Sequence, residues 1–135
     1  MKPIFTTTLA VRDYELDSQG IVNNANYLHY LELARHDFCE AAGYSFAAMS
    51  ADGINPVVRR AELDYISSLR MGDRMEISVS MERRGARFVF RQHISRLPDH
   101  QPVLDGVITI VCIENGTLSR GDRLAEAFRE WLVDK

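Results

Sequence analysis

The stretch that could carry chemistry runs from Asp13 to Gly43. It opens with a polar, turn-forming run that contains the isolated carboxylate Asp17 and the glycine Gly20. A long helical pattern follows directly. The first N–H groups of a helix have no intrahelical acceptor and form the positive end of its dipole. A carboxylate just upstream of such a helix could therefore bring a base and several N–H donors onto one reacting carbonyl group.

The helix that would position these groups is predicted to run from Ala25 to Ala42. Its apolar side chains recur at helical spacing on one broad face, which comprises Tyr27, Leu31, Ala34, Phe38 and Ala41. An asparagine near Asn24 is expected to cap its N-terminus, and Gly43 its C-terminus. Because the apolar face is wide, we expect the helix to pack deeply against other elements.

The remaining elements follow from residue alternation and turn residues. We predict a strand at 4–11, a loop at 44–56, strands at 57–66, 75–82, 88–97 and 103–113, and a short second helix capped by Asp122. The strand at 103–113 is almost continuously apolar, so we expect it to be buried on both faces. Four consecutive strands joined by short turns predict an antiparallel sheet. The long helix must cover one face of that sheet, which gives an α+β architecture.

Length and composition exclude several classes of protein. The 135 residues suit a single domain, taken here as residues 1–135. The net charge of −3 argues against general nucleic-acid binding. No apolar run is long enough for a membrane span, and the first residues lack an export signal, so we expect a cytoplasmic protein. Cys39 and Cys112 are expected to be buried free thiols.

A metal site is not expected. His29, Glu32 and His36 share one face of the predicted helix, but they lie opposite its apolar face and lack the i, i+4 histidine pair of zinc enzymes. We interpret them as a polar helix face. A serine hydrolase is not indicated either, because the Gly-x-Ser-x-Gly turn is missing from the sequence.

The run from Val11 to Leu28, VRDYELDSQGIVNNANYL, resembles the signature of the 4-hydroxybenzoyl-CoA thioesterase-like group of hotdog-fold proteins. That signature is an aspartate, a glycine three residues on, a small apolar residue, and Asn-Tyr at the start of the helix. The segments Glu32 to Arg35 and Met71 to Asp73 also match. One departure is Asn24, where many bacterial relatives have histidine.

The resemblance implies a hotdog fold, in which an antiparallel five-stranded sheet wraps around one long central helix, here with a short C-terminal helix added. It also implies a homodimer whose two sheets join, with active sites at that junction. A homotetramer is a second possibility. The activity implied is hydrolysis of an acyl-CoA thioester to a free acid and coenzyme A, with no further cofactor.

The resemblance also assigns roles to the residues of the motif. Asp17 is expected to act as nucleophile or general base, a choice that the sequence leaves open. The backbone N–H groups at Asn24, Ala25 and Asn26, at the positive end of the helix, are expected to stabilise the oxyanion. Gly20, Val22 and Tyr27 are expected to contact the substrate.

The phosphates of coenzyme A need cationic partners. We expect these to come from arginines near strand ends and turns, namely Arg59, Arg60, Arg83, Arg84 and Arg87. The same arginines around residues 83–87 could instead receive an acidic acyl carrier protein. Two alternatives therefore remain: an acyl-carrier-protein thioesterase, and a non-catalytic hotdog module that binds acyl-CoA.

Overall fold

The structure is a computed structural model that describes residues 4–133. Residues 1–3 and 134–135, which the single predicted domain includes, lie outside this range. The strands are β1 (Phe5–Ala10), β2 (Ile54–Tyr65), β3 (Arg74–Arg84), β4 (Arg87–Leu97), β5 (Gln101–Glu114) and β6 (Thr117–Leu118). The helices are α1 (Asn26–Ala41), α2 (Phe46–Ala51) and α3 (Asp122–Ala127). Within residues 4–133, no helix combines the length and the apolar character that a membrane span requires.

One antiparallel sheet forms the body of the fold. Its strand order is β1-β3-β4-β5-β2, and the two-residue β6 pairs with β5. The hairpin between β3 and β4 turns at Gly85 and Ala86, so that Arg84 lies opposite Arg87. This order places β2 at one edge of the sheet, beside β5 and far from β1.

Helix α1 packs against the inner face of this sheet, as its wide apolar face predicts. Leu31 and Ala34 are completely buried, and the ring of Phe38 lies 5.9 Å from that of Phe5 and 5.7 Å from that of Phe128. Burying a side chain of this size contributes about 2 kcal/mol. The curled sheet around one long helix confirms the predicted α+β hotdog architecture.

Both predicted N-caps are wrong. Position 24 does not cap α1: Ala25 precedes the helix in a helical conformation, and Asn23 accepts the hydrogen bonds of the first turn instead. Position 122 is the first residue of α3, and Gly121 precedes it with φ of 76°. The carboxylate of Asp122 instead accepts a hydrogen bond from Arg83 Nη2 at 2.5 Å. In both cases a neighbouring residue already fixes the backbone turn.

Two other segments differ from the prediction. The loop expected at 44–56 contains α2, whose N-cap Ser45 accepts a hydrogen bond from the Ala48 amide, and β2 begins at Ile54, earlier than expected. Strand β5 is buried mainly on its inner face, because Asp105 is exposed and Val107 is half-buried on the outer face. Helix α3 ends at Ala127, and a 3-10 turn follows at Arg129–Trp131.

The two cysteines are buried and free, as predicted. Burial raises the pKa of the Cys39 thiol to about 12, with a smaller opposing effect from the positive charge of Arg35. Burial likewise raises the pKa of the Cys112 thiol to about 11. Both thiols therefore stay protonated and unreactive near neutral pH.

Substituting Gly121 with alanine is expected to destabilise the protein by about 3 kcal/mol. A left-handed backbone costs an L-residue about 1 kcal/mol. In addition, a Cβ at Gly121 would lie 2.6 Å from the Phe88 ring, and overpacking of this kind costs about 1–3 kcal/mol. The matched control is Gly85→Ala, where φ is 62° but a Cβ meets open space, and which is expected to cost only about 1 kcal/mol. Urea denaturation of both variants measures the difference, and equal losses would exclude the clash.

Candidate active site

Asp17 sits in a tight turn that fixes its carboxylate. Its Oδ1 accepts hydrogen bonds from the Gln19 amide at 2.8 Å and the Ile21 amide at 3.4 Å. Its backbone carbonyl accepts from the Gly20 amide at 3.1 Å, and Gly20 has φ of 78°, a value that favours glycine. Both of these side-chain hydrogen bonds are made to Oδ1.

The buried Glu15 ties this turn to helix α1. Its carboxylate accepts hydrogen bonds from the Arg12 amide at 2.8 Å, from Arg12 Nε at 3.0 Å and Nη2 at 2.6 Å, and from the Tyr30 hydroxyl at 2.8 Å. Its backbone carbonyl accepts from the Asn23 amide at 3.0 Å and from Asn26 Nδ2 at 2.9 Å. Glu15 therefore connects the residues before the turn to the first residue of α1 and to its second turn.

Burial and hydrogen bonding act in opposite directions on Glu15. Burial raises the pKa of this carboxyl group. The side-chain and backbone hydrogen bonds from Arg12 and the hydrogen bond from the Tyr30 hydroxyl together lower the pKa by more than burial raises it, so the net pKa lies below its ordinary value. Burial, followed by the neighbouring Glu15 carboxylate, raises the pKa of Tyr30 well above its usual range. Glu15 is thus an ionised carboxylate that accepts a hydrogen bond from the neutral hydroxyl group of Tyr30.

Two of the expected oxyanion donors are engaged within the loop. The Ala25 amide donates to Asn23 Oδ1 at 2.9 Å, and the Asn26 amide donates to the Asn23 carbonyl at 2.9 Å. The second and third residues of α1, Tyr27 and Leu28, follow directly. The N–H groups of a first helical turn have no intrahelical acceptor. The N–H groups of Tyr27 and Leu28 are therefore hydrogen-bond donors at this end of the helix.

The end of β2 returns to the start of α1 through two tyrosines. The Tyr65 hydroxyl donates to the Asn24 carbonyl at 3.0 Å, and its ring meets the Tyr27 ring edge-on with centroids 5.6 Å apart. The Tyr27 hydroxyl accepts from the Leu69 amide at 3.1 Å, and burial raises the pKa of Tyr27, which keeps it neutral. These contacts close one side of a cleft.

This cleft has a volume of about 310 Å³ and contains the carboxylate and the helix start together. Its lining consists of Asp17, Ile21, Val22, Asn24, Tyr27, Tyr65, Ile66, Ser67 and Ser68. Four of the residues expected to form the site are among these. Gly20, Ala25 and Asn26 lie beside the cleft and shape its loop. The segment 65–68 was not identified from the sequence, where Tyr65 is one apolar residue in an alternating strand.

Most of the expected phosphate ligands lie together on the outer face of the sheet. A depression of about 960 Å³ is lined by Arg59, Arg60, Glu62, Arg84, Arg87, Val89, Arg91, Val107 and Thr109. Arg91, which was not identified from the sequence, joins them. Its Nη2 lies 3.2 Å from Oε1 of the buried Glu82, which also lies 3.3 Å from Arg84 Nη2. We refer to these five arginines as the arginine patch.

Arg83 does not belong to the arginine patch. Its guanidinium donates to the Gly85 carbonyl at 2.8 Å, the Arg120 carbonyl at 2.9 Å and the Asp122 carboxylate at 2.5 Å. Successive side chains of a strand point to opposite faces, so Arg83 and Arg84 are separated by the sheet. Arg83 therefore fixes α3 to the β3–β4 hairpin.

Comparisons with known proteins show the family to which this chain belongs. A family model described as the thioesterase-like superfamily matches residues 11–132. The long-chain acyl-CoA thioesterase FadM of Escherichia coli K12 is 37% identical over 109 residues, which cover 80% of this chain and 82% of FadM. The crystal structure of YbaW, a probable thioesterase from Escherichia coli, is 32% identical with a TM-score of 0.81, and the match covers 95% of this chain and 98% of that one.

A plant protein is similarly close in sequence. The chloroplastic acyl-acyl carrier protein thioesterase ATL3 of Arabidopsis thaliana is 32% identical over 116 residues, 85% of this chain. The match spans only 61% of ATL3, and 57% of the related ATL2. The chain thus covers about three fifths of the length of these plant relatives.

Proposed function

Because this chain belongs to the thioesterase-like superfamily, we propose that it hydrolyses acyl-CoA thioesters to a free acid and coenzyme A in the cleft at Asp17. The observation that carries this proposal is the shared cleft of the Asp17 carboxylate and the first turn of α1. Thioester hydrolysis needs a base or nucleophile on one side of the carbonyl group and donors for its oxygen on the other. No cofactor is needed for this chemistry.

Asp17 can act by either of two routes, as a general base or as a nucleophile. As a general base, it takes a proton from water while the water oxygen attacks the carbonyl carbon; the C–S bond then breaks and the thiolate of coenzyme A receives the proton. As a nucleophile, it attacks the carbon itself, the thiolate leaves, and water hydrolyses the resulting anhydride. Mass spectrometry after rapid quenching separates the routes, because only the second adds the mass of the acyl group to Asp17.

We propose that the backbone N–H of Tyr27 stabilises the oxyanion, together with the neighbouring backbone N–H of Leu28. The N–H groups of Ala25 and Asn26 are already bound to Asn23, so they would have to release that contact to reach a substrate. Asn24 lines the cleft, and we propose its side-chain amide as a further donor. One such donor contributes about 3 kcal/mol to lowering the barrier.

A panel of acyl-CoA substrates tests the function. Release of free thiol from short, long and aromatic acyl-CoA thioesters is expected for at least one acyl class, at a rate well above the uncatalysed one. The apolar side chains of Val22 and Ile66 in the cleft favour an apolar acyl group. A protein that binds these thioesters but releases no thiol from any of them would instead be a binding module.

We propose that the arginine patch binds the phosphates of coenzyme A. The double variant Arg84→Ala/Arg87→Ala is expected to raise KM for an acyl-CoA about tenfold, because charge-assisted hydrogen bonds to phosphate are lost. KM for the matching acyl-pantetheine, which lacks the nucleotide, is expected to stay unchanged. The control is Arg120→Ala/Arg129→Ala, which removes two exposed arginines outside the patch. An equal rise in KM for both substrates would exclude phosphate binding by the patch.

A second candidate function is hydrolysis of acyl groups on acyl carrier protein. Two observations favour it: plant relatives carry that name, and the arginine patch offers a basic surface to an acidic protein. Comparing kcat/KM for the same acyl group on coenzyme A and on acyl carrier protein decides between the two. A preference for the carrier protein that disappears at high salt would favour this second function.

We also propose that the active protein is a homodimer, with a homotetramer as a larger possibility. Among residues 4–133, strand β2 pairs with β5 on one side only. An exposed strand edge of this length is a template for pairing with another chain. Sedimentation at micromolar concentration is expected to give a dimer or tetramer, and a monomer would contradict the proposal.

A further inference from the structure

The turn that carries Asp17 is the tip of a short hairpin, residues 15–23, which we refer to as the Asp17 hairpin. Leu16 on one side of the turn pairs with Val22 on the other in an antiparallel bridge. Glu15 lies at the base of the hairpin, on the side that precedes the turn. An isolated two-stranded hairpin is at best marginally stable in water. The position of Asp17 therefore depends on the contacts that attach this hairpin to the rest of the protein.

One side of the Asp17 hairpin is attached through backbone contacts. The Val22 amide donates to the Leu69 carbonyl at 2.9 Å, and Ile21 forms an antiparallel bridge with Arg70. These contacts hold the strand that follows the turn to the segment that precedes β3. They do not involve α1, so a second attachment has to set the distance between the hairpin and the helix.

Glu15 makes this second attachment. Its backbone carbonyl accepts a hydrogen bond from Asn26 Nδ2 at 2.9 Å, and its Oε1 accepts one from the Tyr30 hydroxyl at 2.8 Å. Asn26 begins α1, and Tyr30 lies about one turn further along it. Glu15 is 6% exposed and Tyr30 is 1% exposed. Because shielding from water strengthens a hydrogen bond, these two bonds fix the hairpin and the helix relative to each other.

Arg12 fixes the orientation of the Glu15 carboxylate. Its Nε and Nη2 donate to Oε2 at 3.0 Å and 2.6 Å, and its amide donates to Oε1 at 2.8 Å. Hydrogen bonds from a guanidinium to a carboxylate are stronger than those between neutral groups. A glutamine at this position would turn an NH2 group toward one of these donors or toward the Tyr30 hydroxyl, and that contact would be lost.

The Asp17 hairpin and α1 carry different parts of the proposed chemistry. The Asp17 carboxylate is the base or nucleophile, and the Tyr27 N–H is the oxyanion donor. One thioester carbonyl group has to meet both of them at the same time. A misplacement of about 1 Å, even from a change far from the chemistry, can lower a rate about 10²-fold. The rate therefore depends on the attachment that sets the spacing between hairpin and helix.

We propose that Glu15 is a positioning residue, which holds the Asp17 hairpin against the first turn of α1 so that the base and the oxyanion donor face the same carbonyl group. Within residues 4–133, the lining of the cleft does not include Glu15, so this residue acts through the backbone of the hairpin and the helix. The inference rests on the proposed function for the roles of Asp17 and Tyr27. The hydrogen-bonded attachment itself does not depend on the chemistry.

The kinetics of Glu15→Gln test the proposal. We expect kcat for acyl-CoA hydrolysis to fall about 10–100-fold and KM to stay within about twofold, because the substrate still binds while the reacting groups are misaligned. Tyr30→Phe removes one donor and is expected to lower kcat about threefold. Adding Tyr30→Phe to Glu15→Gln is expected to lower kcat by less than about twofold more, since the two side chains act as one unit. An additive effect, or a Glu15→Gln variant in which only KM changes, would overturn the proposal.

The matched control for lost stability is Gly121→Ala. Its added Cβ would clash with the Phe88 ring near the β3–β4 turn, at the opposite end of β3 from the Asp17 hairpin. All variants are assayed at a temperature at which thermal melting shows them to be folded. We expect kcat of Gly121→Ala to stay within about twofold of the wild type, since distant sites act independently. A fall in kcat equal to that of Glu15→Gln would trace the loss to a weakened fold and overturn the proposal.

Hydrogen exchange measures the attachment without using the chemistry. The amides of Asp17 and Asn23 donate within the Asp17 hairpin, to the carbonyls of Ile21 and Glu15. In Glu15→Gln they are expected to exchange at least about tenfold faster, while amides in the middle of β3 keep their rates. Unchanged exchange at both amides would overturn the proposal. A wild type that releases no thiol from any acyl-CoA would reject the proposed function, whereas wild-type release with full kcat in Glu15→Gln would reject only the positioning role.

Discussion

Replacing Asp17 with asparagine is expected to lower kcat for acyl-CoA hydrolysis by about 10²–10⁴-fold, the usual contribution of a positioned acid or base. An asparagine keeps an Oδ1 acceptor for the amides of Gln19 and Ile21, so the turn should persist. The loss would therefore report the missing carboxylate. Thiol release under substrate saturation measures kcat, and circular dichroism with thermal melting confirms that the variant is folded.

The matched control for this variant is Asp13→Asn, which removes an exposed carboxylate from the same loop. Its side chain lies outside the cleft, and the backbone carbonyl of Asp13 that accepts from the Leu16 amide is retained. We expect its kcat to stay within about twofold of the wild type, since surface substitutions of this kind are nearly neutral. Equal rates for Asp17→Asn and the wild type would reject the role of Asp17 in either route.

Replacing Glu15 with alanine is expected to destabilise the protein by about 2 kcal/mol and to lower its melting temperature by roughly 8 °C. The substitution leaves the Tyr30 hydroxyl buried without its acceptor, whereas the half-exposed Arg12 can return to water, which limits the loss. Calorimetry measures the shift. The control is Glu32→Ala on the exposed face of α1, expected to change stability by less than about 0.5 kcal/mol.

The contribution of Glu15 is also expected to depend on pH with a definite sign. Because its pKa is lower in the folded protein than its ordinary value of 4.5, the ionised form stabilises the fold. That stabilisation is complete above pH 4.5 and is lost as the pH falls through the lower folded value. The stability difference between wild type and Glu15→Gln should therefore be constant from pH 7 to about 5 and shrink below it. A difference that grew on acidification would contradict this sign.

The family, the fold class and the helix face were predicted correctly from the sequence. The match to the thioesterase-like superfamily over residues 11–132 confirms the resemblance. Helix α1 lies within one residue of its predicted bounds, because a long amphipathic pattern gives a strong periodic signal. The roles of Asp17 and its neighbours in catalysis stay predictions. Both N-cap assignments failed because several adjacent residues could satisfy the same helix end, and only the backbone path selects among them.

The sequence by itself determined that Asp17 lies close to the start of α1. Only a few residues separate them, and a turn at Gly20 followed by a helix leaves the chain little freedom to move them apart. Only the tertiary structure decided which other residues lie opposite Asp17 and the start of α1. The strand order brings Tyr65 and residues 66–68 from the far edge of the sheet to that helix end. The same sheet gathers Arg59, Arg84 and Arg91 on one outer face and turns Arg83 away from them. Such contacts depend on strand order and register, which join residues distant in sequence and leave no local pattern to read.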